Sequence, residues 1–335
     1  MTTKQRSITI ITTPQAYPCL PTHPALAKFD PELLVAHCSD EHLVVIDNAI
    51  QVARCSLWWT NSPWSPQGRT GLIGHYAATD APAAGELLNA AIDRLTLHGC
   101  SFAVAPVDQH TWRDYRLAVT GTDRPRFLFE PYSGDPSPVP LAQAGFRPIA
   151  WYFSALVDHL TATSPRVRRA WTRLQGEGIT LRPIRQEILE QELRHLHYIA
   201  DAAFGDNPWY IPISADEFVA MYGSMQHQIP LEFTLIAEDR GNPIGFCFAV
   251  PDLLQRTQGK PIDTLVIKTL GVVRERRYAG LGQVLLEDVQ QRAAAAGMNY
   301  AIHALVRETA NLQNISRRYA KPFRRYALYG RELTS

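Results

Sequence analysis

The feature that most constrains this chain is that it echoes itself. Gly297-Met-Asn-Tyr-Ala-Ile302 restates Gly99-Cys-Ser-Phe-Ala-Val104 at an offset of 198 residues. Carried back at that offset, Leu285-Leu286 falls on Leu87-Leu88, Val289 on Ala91, Arg292 on Arg94 and Leu270 on Leu72. Any two amphipathic helices share some matches. Stop glycines followed by an aromatic-Ala-β-branched strand are a more specific pairing, so a strand–helix–Gly–strand unit is expected twice, without gaps. A chain of 335 residues has room for both copies as domains, since domains commonly run to about 100–200 residues.

Composition narrows the class. With 46% hydrophobic and 19% charged residues, the chain buries enough apolar surface to offset the entropy of ordering, which excludes disorder. Lys+Arg 33 against Asp+Glu 32 leaves a net charge of +1. There is no global basic field to hold nucleic acid or an anionic membrane, and neither is expected as a partner. Apolar runs such as Phe246 to Val250 fall far short of the roughly 20 residues of a membrane span. Ile8–Ile11 is too brief for a signal peptide, and Pro14 and Pro21 follow it. The five cysteines are odd in number, scattered and without a CxxC pair. They read as reduced core residues of a cytoplasmic protein, and no metal site is expected.

Pro and Gly punctuate the chain in three places. Asn61 to Gly71 reads as a loop between strand-like runs at Leu43–Trp59, broken in the middle, and Leu72–Ala77. Tyr132 to Pro140 is a second loop. Ser164 to Gly178 carries Arg166, Arg168, Arg169 and Arg173, either as the solvated face of a linker helix or as a functional patch. The expected division is a first domain at 1–160, a basic linker at 161–178 and a second domain at 179–335. Within the second, Ile179–Ile184 reads as a strand and Gln186 to Phe204 has helical periodicity. Ser214-Ala-Asp-Glu217 is a capping box. Phe233–Ala237 and Ile244–Val250 pair as a hairpin. A strand at Leu265–Val273, a helix at Gly280–Ala296 and a strand at Tyr300–Val306 follow. That order is mixed α/β.

The repeat informs most where it breaks. The second copy connects strand to helix through Arg277-Tyr-Ala-Gly280-Leu-Gly282, where the first has Thr79, Pro82 and Ala84. Glycines at a helix entrance let backbone N–H groups approach a ligand, and the first turn with its dipole favours phosphate oxygens. Arg277 would add a charged fork to the same anion. Three specified positions in six are weak alone, because a helix N-terminus can hold two glycines by chance.

In context, after the strand end Leu270-Gly-Val-Val273 and before a long amphipathic helix, a strand and the polar run Asn311-Leu-Gln-Asn314, the loop resembles that of the GNAT (Gcn5-related N-acetyltransferase) superfamily. The resemblance covers about Ile179 to Leu333. It extends more faintly to the first half, where Gly145-Phe146 and Ile149–Val157 look like the closing element of another copy. It implies two tandem GNAT-like acyl-CoA N-acyltransferase domains, the first without its phosphate loop. It places Leu270, Gly271 and Val272 along the pantetheine arm, and Arg277, Tyr278, Ala279, Gly280, Leu281 and Gly282 around the pyrophosphate of acetyl-CoA. Asn311 would hold the cofactor arm, and Tyr319 would protonate the departing thiolate. The commonest spacing from Asn311 lands on Arg318 instead, and Pro322-Phe323 replaces the usual Gly-Phe.

The implied reaction is direct attack of a small-molecule or peptide amine on the thioester in a ternary complex, helped by orientation and a backbone N–H. Many relatives carry a Glu on the strand before the loop, but Leu265-Val-Ile-Lys-Thr-Leu270 offers no carboxylate. Lys268 is expected to snorkel to solvent. Glu238, Asp239 and His303 are the remaining candidate bases, each with an ordinary structural role as its alternative. Trp209 and Tyr210 either cover a substrate or cap the core. Asp108, His110 and Glu130 are expected either to line an inter-domain pocket or to satisfy loop backbone. Two competing readings are a non-catalytic acyl-CoA-binding module and an acyltransferase for a longer acyl-CoA. Nothing in the sequence specifies the acceptor or the oligomeric state.

Overall fold

Asn48 and Ala49 both adopt positive φ, +50° and +63°, the geometry of a tight turn whose twist matches the strands it joins. This turn splits the first long apolar run into two paired strands. In the computed structural model, residues 6–65, 68–131, 137–207, 209–223, 230–308 and 320–333 are described. The chain forms two compact units, one of 1–122, 131–151 and 325–335, the other of 123–130 and 152–324. The division is not contiguous at 161–178, because the last strand of the chain completes the first unit.

The first unit contains β1 (Arg6–Ile11), α1 (Leu33–Ala36), β2 (Glu41–Asp47), β3 (Ile50–Trp58), β4 (Trp64–Ser65), β5 (Gly68–Ala78) and α2 (Ala81–Leu97). β6 (Phe102–Ala105), β7 (Leu117–Thr120), α3 (Val139–Gln143) and the start of β8 (Arg147–Val157) follow. β1, β2, β3 and β5 pair antiparallel in that order, and β6 lies parallel to β5. Gly68 to Gly71, expected in a loop, are the first residues of β5. α2 buries Leu87, Leu88, Ala91 and Leu95 against Leu43, Cys55, Leu57 and Ile73 of the sheet. Helical spacing on one element meets strand alternation on the other.

The second unit takes the end of β8, then α4 (Pro165–Gly176), β9 (Ile179–Pro183), α5 (Leu189–Phe204), α6 (Ala215–Gly223), β10 (Leu235–Asp239) and β11 (Asn242–Pro251). α7 (Leu254–Thr257), β12 (Thr264–Val272), α8 (Leu281–Ala295), β13 (Tyr300–Arg307) and β14 (Ala320–Glu332) complete the series. The strand order is β9-β10-β11-β12-β13-β8, antiparallel except for the parallel β12–β13 pair. Ser214 Oγ accepts from Glu217 N at 3.1 Å, the expected cap of α6. α8 packs Leu281, Leu285 and Val289 into a cluster with Cys247, Leu265 and Ile267. From Arg325 onward β14 returns to the first unit, where Tyr329–Glu332 pair with β6 and Arg325–Ala327 with β7, while its first residues, Ala320 to Arg324, stay in the second.

α4 corrects the linker reading. Val167 and Leu174 are buried in the core cluster of the second unit, and Ser164 caps the helix by accepting from Arg166 N at 3.3 Å. Its arginine face is solvated, as 3.6-residue periodicity requires once Val167 and Leu174 turn inward. The helix is nevertheless built into the unit. The cysteine reading is also corrected in part: Cys55, Cys100 and Cys247 are buried, but Cys19 and Cys38 are exposed. Among the described residues no helix is long and apolar enough to cross a membrane.

Register revises the repeat. Leu72 pairs with Val104 in the first unit, whereas Val266 pairs with Ile302 in the second. The strands therefore match four residues out of step with the gapless alignment, which put Leu270 on Leu72. The slack lies between strand and helix: β5 reaches α2 through Thr79 and Asp80 alone, while β12 reaches α8 through Val273 to Gly280.

Candidate active site

That longer connection is built to leave backbone donors open. Arg276–Tyr278 form one 3-10 turn, and Gly280 follows in the left-handed region at φ +92° as the residue before α8. A Cβ at Gly280 would sit 2.9 Å from Ala170 Cβ of α4. Both the dihedral and the close approach of α4 thus demand glycine. No side chain caps α8. Gln283 N and Val284 N both donate to Gly280 O at 3.1 Å. Among the described residues nothing accepts from the N–H groups of Gly280, Leu281 and Gly282. Three adjacent open donors at the positive end of a four-turn helix are an arrangement that favours an anion. Gly282 is not needed by the protein's own packing, since a Cβ there would meet its nearest neighbour, Leu270 Cδ2, at an ordinary 3.6 Å.

The loop is held from two sides. Arg173 of α4 donates from Nη1 to Arg277 O and from Nη2 to Ala279 O, both at 2.8 Å. Tyr278 is buried and its hydroxyl donates to Asp239 Oδ2 at 2.9 Å. Burial, with that hydrogen bond, pushes the phenol up to about 12, so it stays a donor. Arg277 lies exposed over the Tyr278 ring, paired with Asp239 at 3.0 Å and Glu275 at 2.9 Å. Asp239 is thus a tether of the loop, more than a turn residue. The supporting roles of Arg173 and Asp239 escape sequence reasoning, because both contacts join segments far apart in the chain.

Next to this loop the sheet opens. The β12–β13 ladder runs from Thr264↔Tyr300 to Ile267↔His303 and stops. Beyond it Leu270, Gly271 and Val272 pair only with β11, while β13 turns at Leu305 (φ +60°), whose N–H donates to Ser154 Oγ at 3.1 Å, and continues against β8. A cleft therefore forms at the carboxyl ends of two parallel strands, where open sheets bind ligands. Leu270, Gly271 and Val272 line its edge. Gly271 owes its identity to packing, because a Cβ would meet Phe246 Cε1 at 2.8 Å.

The first unit fills both places with its own groups. Asp80 Oδ1 accepts from Ala83 N at 2.8 Å, so a carboxylate already caps α2, and Pro82 lacks an N–H. Past the last β5–β6 pair, Val107 N donates to Ile73 O at 2.9 Å and His75 N to Asp108 Oδ1 at 2.6 Å. The strand edge that is open in the second unit is occupied here.

Other candidates fall as follows. Lys268 does not snorkel: its Nζ lies 4.7 Å from the Phe129 ring centre and 3.3 Å from Tyr222 Oη, because neighbouring aromatics offer it a partner short of solvent. His303 is buried, held down to about 4 by desolvation, and accepts from Gln290 Nε2 at 2.7 Å. Glu238 is bound by Arg182 at 2.8 Å. Tyr210 donates to Asp201. Asp108 lines a cavity of the first unit and accepts from the β5 residue His75, and Glu130 is buried with Arg324 in the second. Asn311 and Tyr319, with Arg318, lie outside the described residues.

Residues 196–321 match the model of the acetyltransferase (GNAT) family. Protein YghO of Escherichia coli K12 is 22% identical over 294 residues, which are 79% of this chain and 74% of that protein. A GCN5-related glucosamine N-acetyltransferase region of a fungal multi-domain GH3 β-N-acetylglucosaminidase aligns with a TM-score of 0.55 at 12% identity. It covers 98% of this chain but 38% of the fungal one. A GCN5-related N-acetyltransferase from Sphaerobacter thermophilus aligns with a TM-score of 0.52 at 15% identity, covering 88% and 81%. At these identities the structural likeness is one of fold. The segment that matches the acetyltransferase (GNAT) family, 196–321, contains the glycine loop before α8 and the open end of the β12–β13 ladder.

Proposed function

We propose that the second unit is an acyl-CoA-dependent N-acyltransferase, with acetyl-CoA as donor and a small-molecule or peptide amine as acceptor. The observation that carries this reading is the run of three unpartnered N–H groups at Gly280, Leu281 and Gly282, set beside the open end of the β12–β13 ladder. The donors suit a pyrophosphate, and the bare Cα of Gly282 leaves room for its oxygens. The edge from Leu270 to Val272 suits the amide groups of a pantetheine arm, which would extend from that edge like an added strand. The exposed arginines of α4, which abuts the loop, add a local positive field for the remaining phosphates.

A bound acyl-CoA supplies the thioester that the amine attacks. The chain's part is to orient the two reactants and to offer backbone N–H groups where negative charge develops on the carbonyl oxygen. Protonation of the leaving sulfur is assigned to Tyr319 by family resemblance, with Arg318 as the alternative, and arm-holding to Asn311. Glu238, Asp239 and His303 are each engaged elsewhere, so none is proposed as the base. A cytoplasmic setting suits a chain with five unpaired thiols.

Calorimetric titration of CoA tests the reading. Wild-type protein is expected to bind one equivalent. Gly282→Glu, which sets a carboxylate among the three donors, is expected to abolish binding while keeping the far-UV spectrum. Unchanged affinity in folded Gly282→Glu removes the assignment. A panel of amines with thiol detection of released CoA then separates a transferase from a binding module, and longer acyl-CoAs read out chain-length preference.

A further inference from the structure

The first unit contains a cavity of about 140 Å³ that the acyl-transfer reading does not use. The volume corresponds to roughly five waters. Arg54 of β3 lines it and is only 4% exposed. Its guanidinium lies 5.2 Å from the centre of the Phe29 ring. Nη2 makes one long bond, to Lys28 O at 3.4 Å, while Nε and Nη1 are buried with no acceptor. Among the described residues no carboxylate lies within 4.0 Å of Arg54 in an ion pair. An arginine held this way is costly: burial disfavours its charge, and a buried charge without a partner destabilises the fold. A fold that keeps such a group beside a cavity has a reason to fill the cavity with an anion.

The walls narrow the choice. Phe29 and Tyr115 give flat apolar surface, and Lys28 and Arg116 add positive charge. Two acidic residues share the lining, Asp108 and Asp114. Asp108 is turned to the backbone of His75, accepting its N–H at 2.6 Å, and burial pushes its carboxyl up to about 7, so it brings less than a full negative charge at neutral pH. A dianion would meet these acids unfavourably. We propose that this cavity binds a small monocarboxylate with a flat apolar body, its carboxylate paired with the Arg54 guanidinium and its body against Phe29 and Tyr115. The first unit is then a ligand-binding domain in its own right, distinct from the acyl-transfer cleft.

The test uses the full chain and sodium benzoate as probe, followed by thermal denaturation and calorimetry, with benzamide and inorganic phosphate as controls. Benzoate is expected to raise the melting temperature in a saturable manner, and neither control to do so. Arg54→Met is expected to weaken benzoate binding by about tenfold or more, the size of a lost charge-assisted pair. Its melting temperature without ligand is expected not to fall, since the substitution removes an uncompensated buried charge. Should Arg54→Met fail to fold, Arg54→Lys serves in its place, keeping the charge but losing the planar fork and weakening binding as well. No saturable effect of benzoate on the wild type overturns the proposal. So does equal binding by the folded variant, or an equal response to benzamide or phosphate.

Discussion

A single side chain, Arg173, decides whether the loop proposed to hold the pyrophosphate is pre-formed. Its two bonds to the carbonyls of Arg277 and Ala279 fix the turn that precedes Gly280. Arg173→Ala should therefore weaken CoA binding by about tenfold, as lost hydrogen bonds from a charged donor commonly do, with little change in thermal stability because the arginine is exposed. Calorimetry beside a melting curve separates the two effects. A second residue-level consequence concerns acid. Burial depresses His303 to about 4, against an ordinary value of 6.5. The unfolded chain thus binds its proton first as pH falls, and the stability His303 contributes is complete above about 6.5 and lost between there and about 4. The linkage slope is about 1.4 kcal/mol per pH unit for one such group. His303→Asn should flatten the dependence of unfolding free energy on pH by about that amount across the same window, which urea titrations at stepped pH would measure.

Among elements, the comparison of α2 with α8 is the most instructive, because the same strand–helix unit is finished in two ways. Asp80→Ala should cost about 1 kcal/mol through the lost cap. It should also confer no CoA affinity, since Val107 and Asp108 still occupy the edge of β5; melting curves and calorimetry read the two halves. Much of this was legible in the sequence: helix periodicity, the stop glycines, the Ser214 cap and the glycine pair of the loop are local signals, and they placed α2, α6, α8 and the entrance of α8 correctly. What was not legible is non-local. The four-residue slip between β5 and β12 depends on which residue of a parallel partner each strand faces, and no local pattern encodes that register. The same holds for α4. Its arginines marked a solvated face, but nothing near them announced that Arg173 reaches carbonyls about a hundred residues further on. Asp108 in the first unit looked like a loop residue, and its closing of the strand edge emerges only when His75 is opposite.

At the scale of the molecule, β14 ties the ends of the chain together. Arg325–Leu333 belong to the first unit, where they pair with β6 and β7 and bring Ala327, Tyr329 and Leu333 into its core. A fragment of residues 1–160 lacks that strand and leaves the edge of β6 bare. It should show no cooperative melting transition, unlike the full chain, and a sigmoidal melt of the isolated fragment would contradict the arrangement. Closing a sheet with so distant a segment is also slow, because the loop spanning it must be ordered first. During synthesis the consequence is an inversion of order. The half of the chain that leaves the ribosome first must wait, its sheet one strand short, until the other half has been made. The early half is then the natural client of a holding chaperone, and a premature stop near the end would spare residues 270–282, proposed to hold the acyl-CoA, while unmaking the domain translated before them.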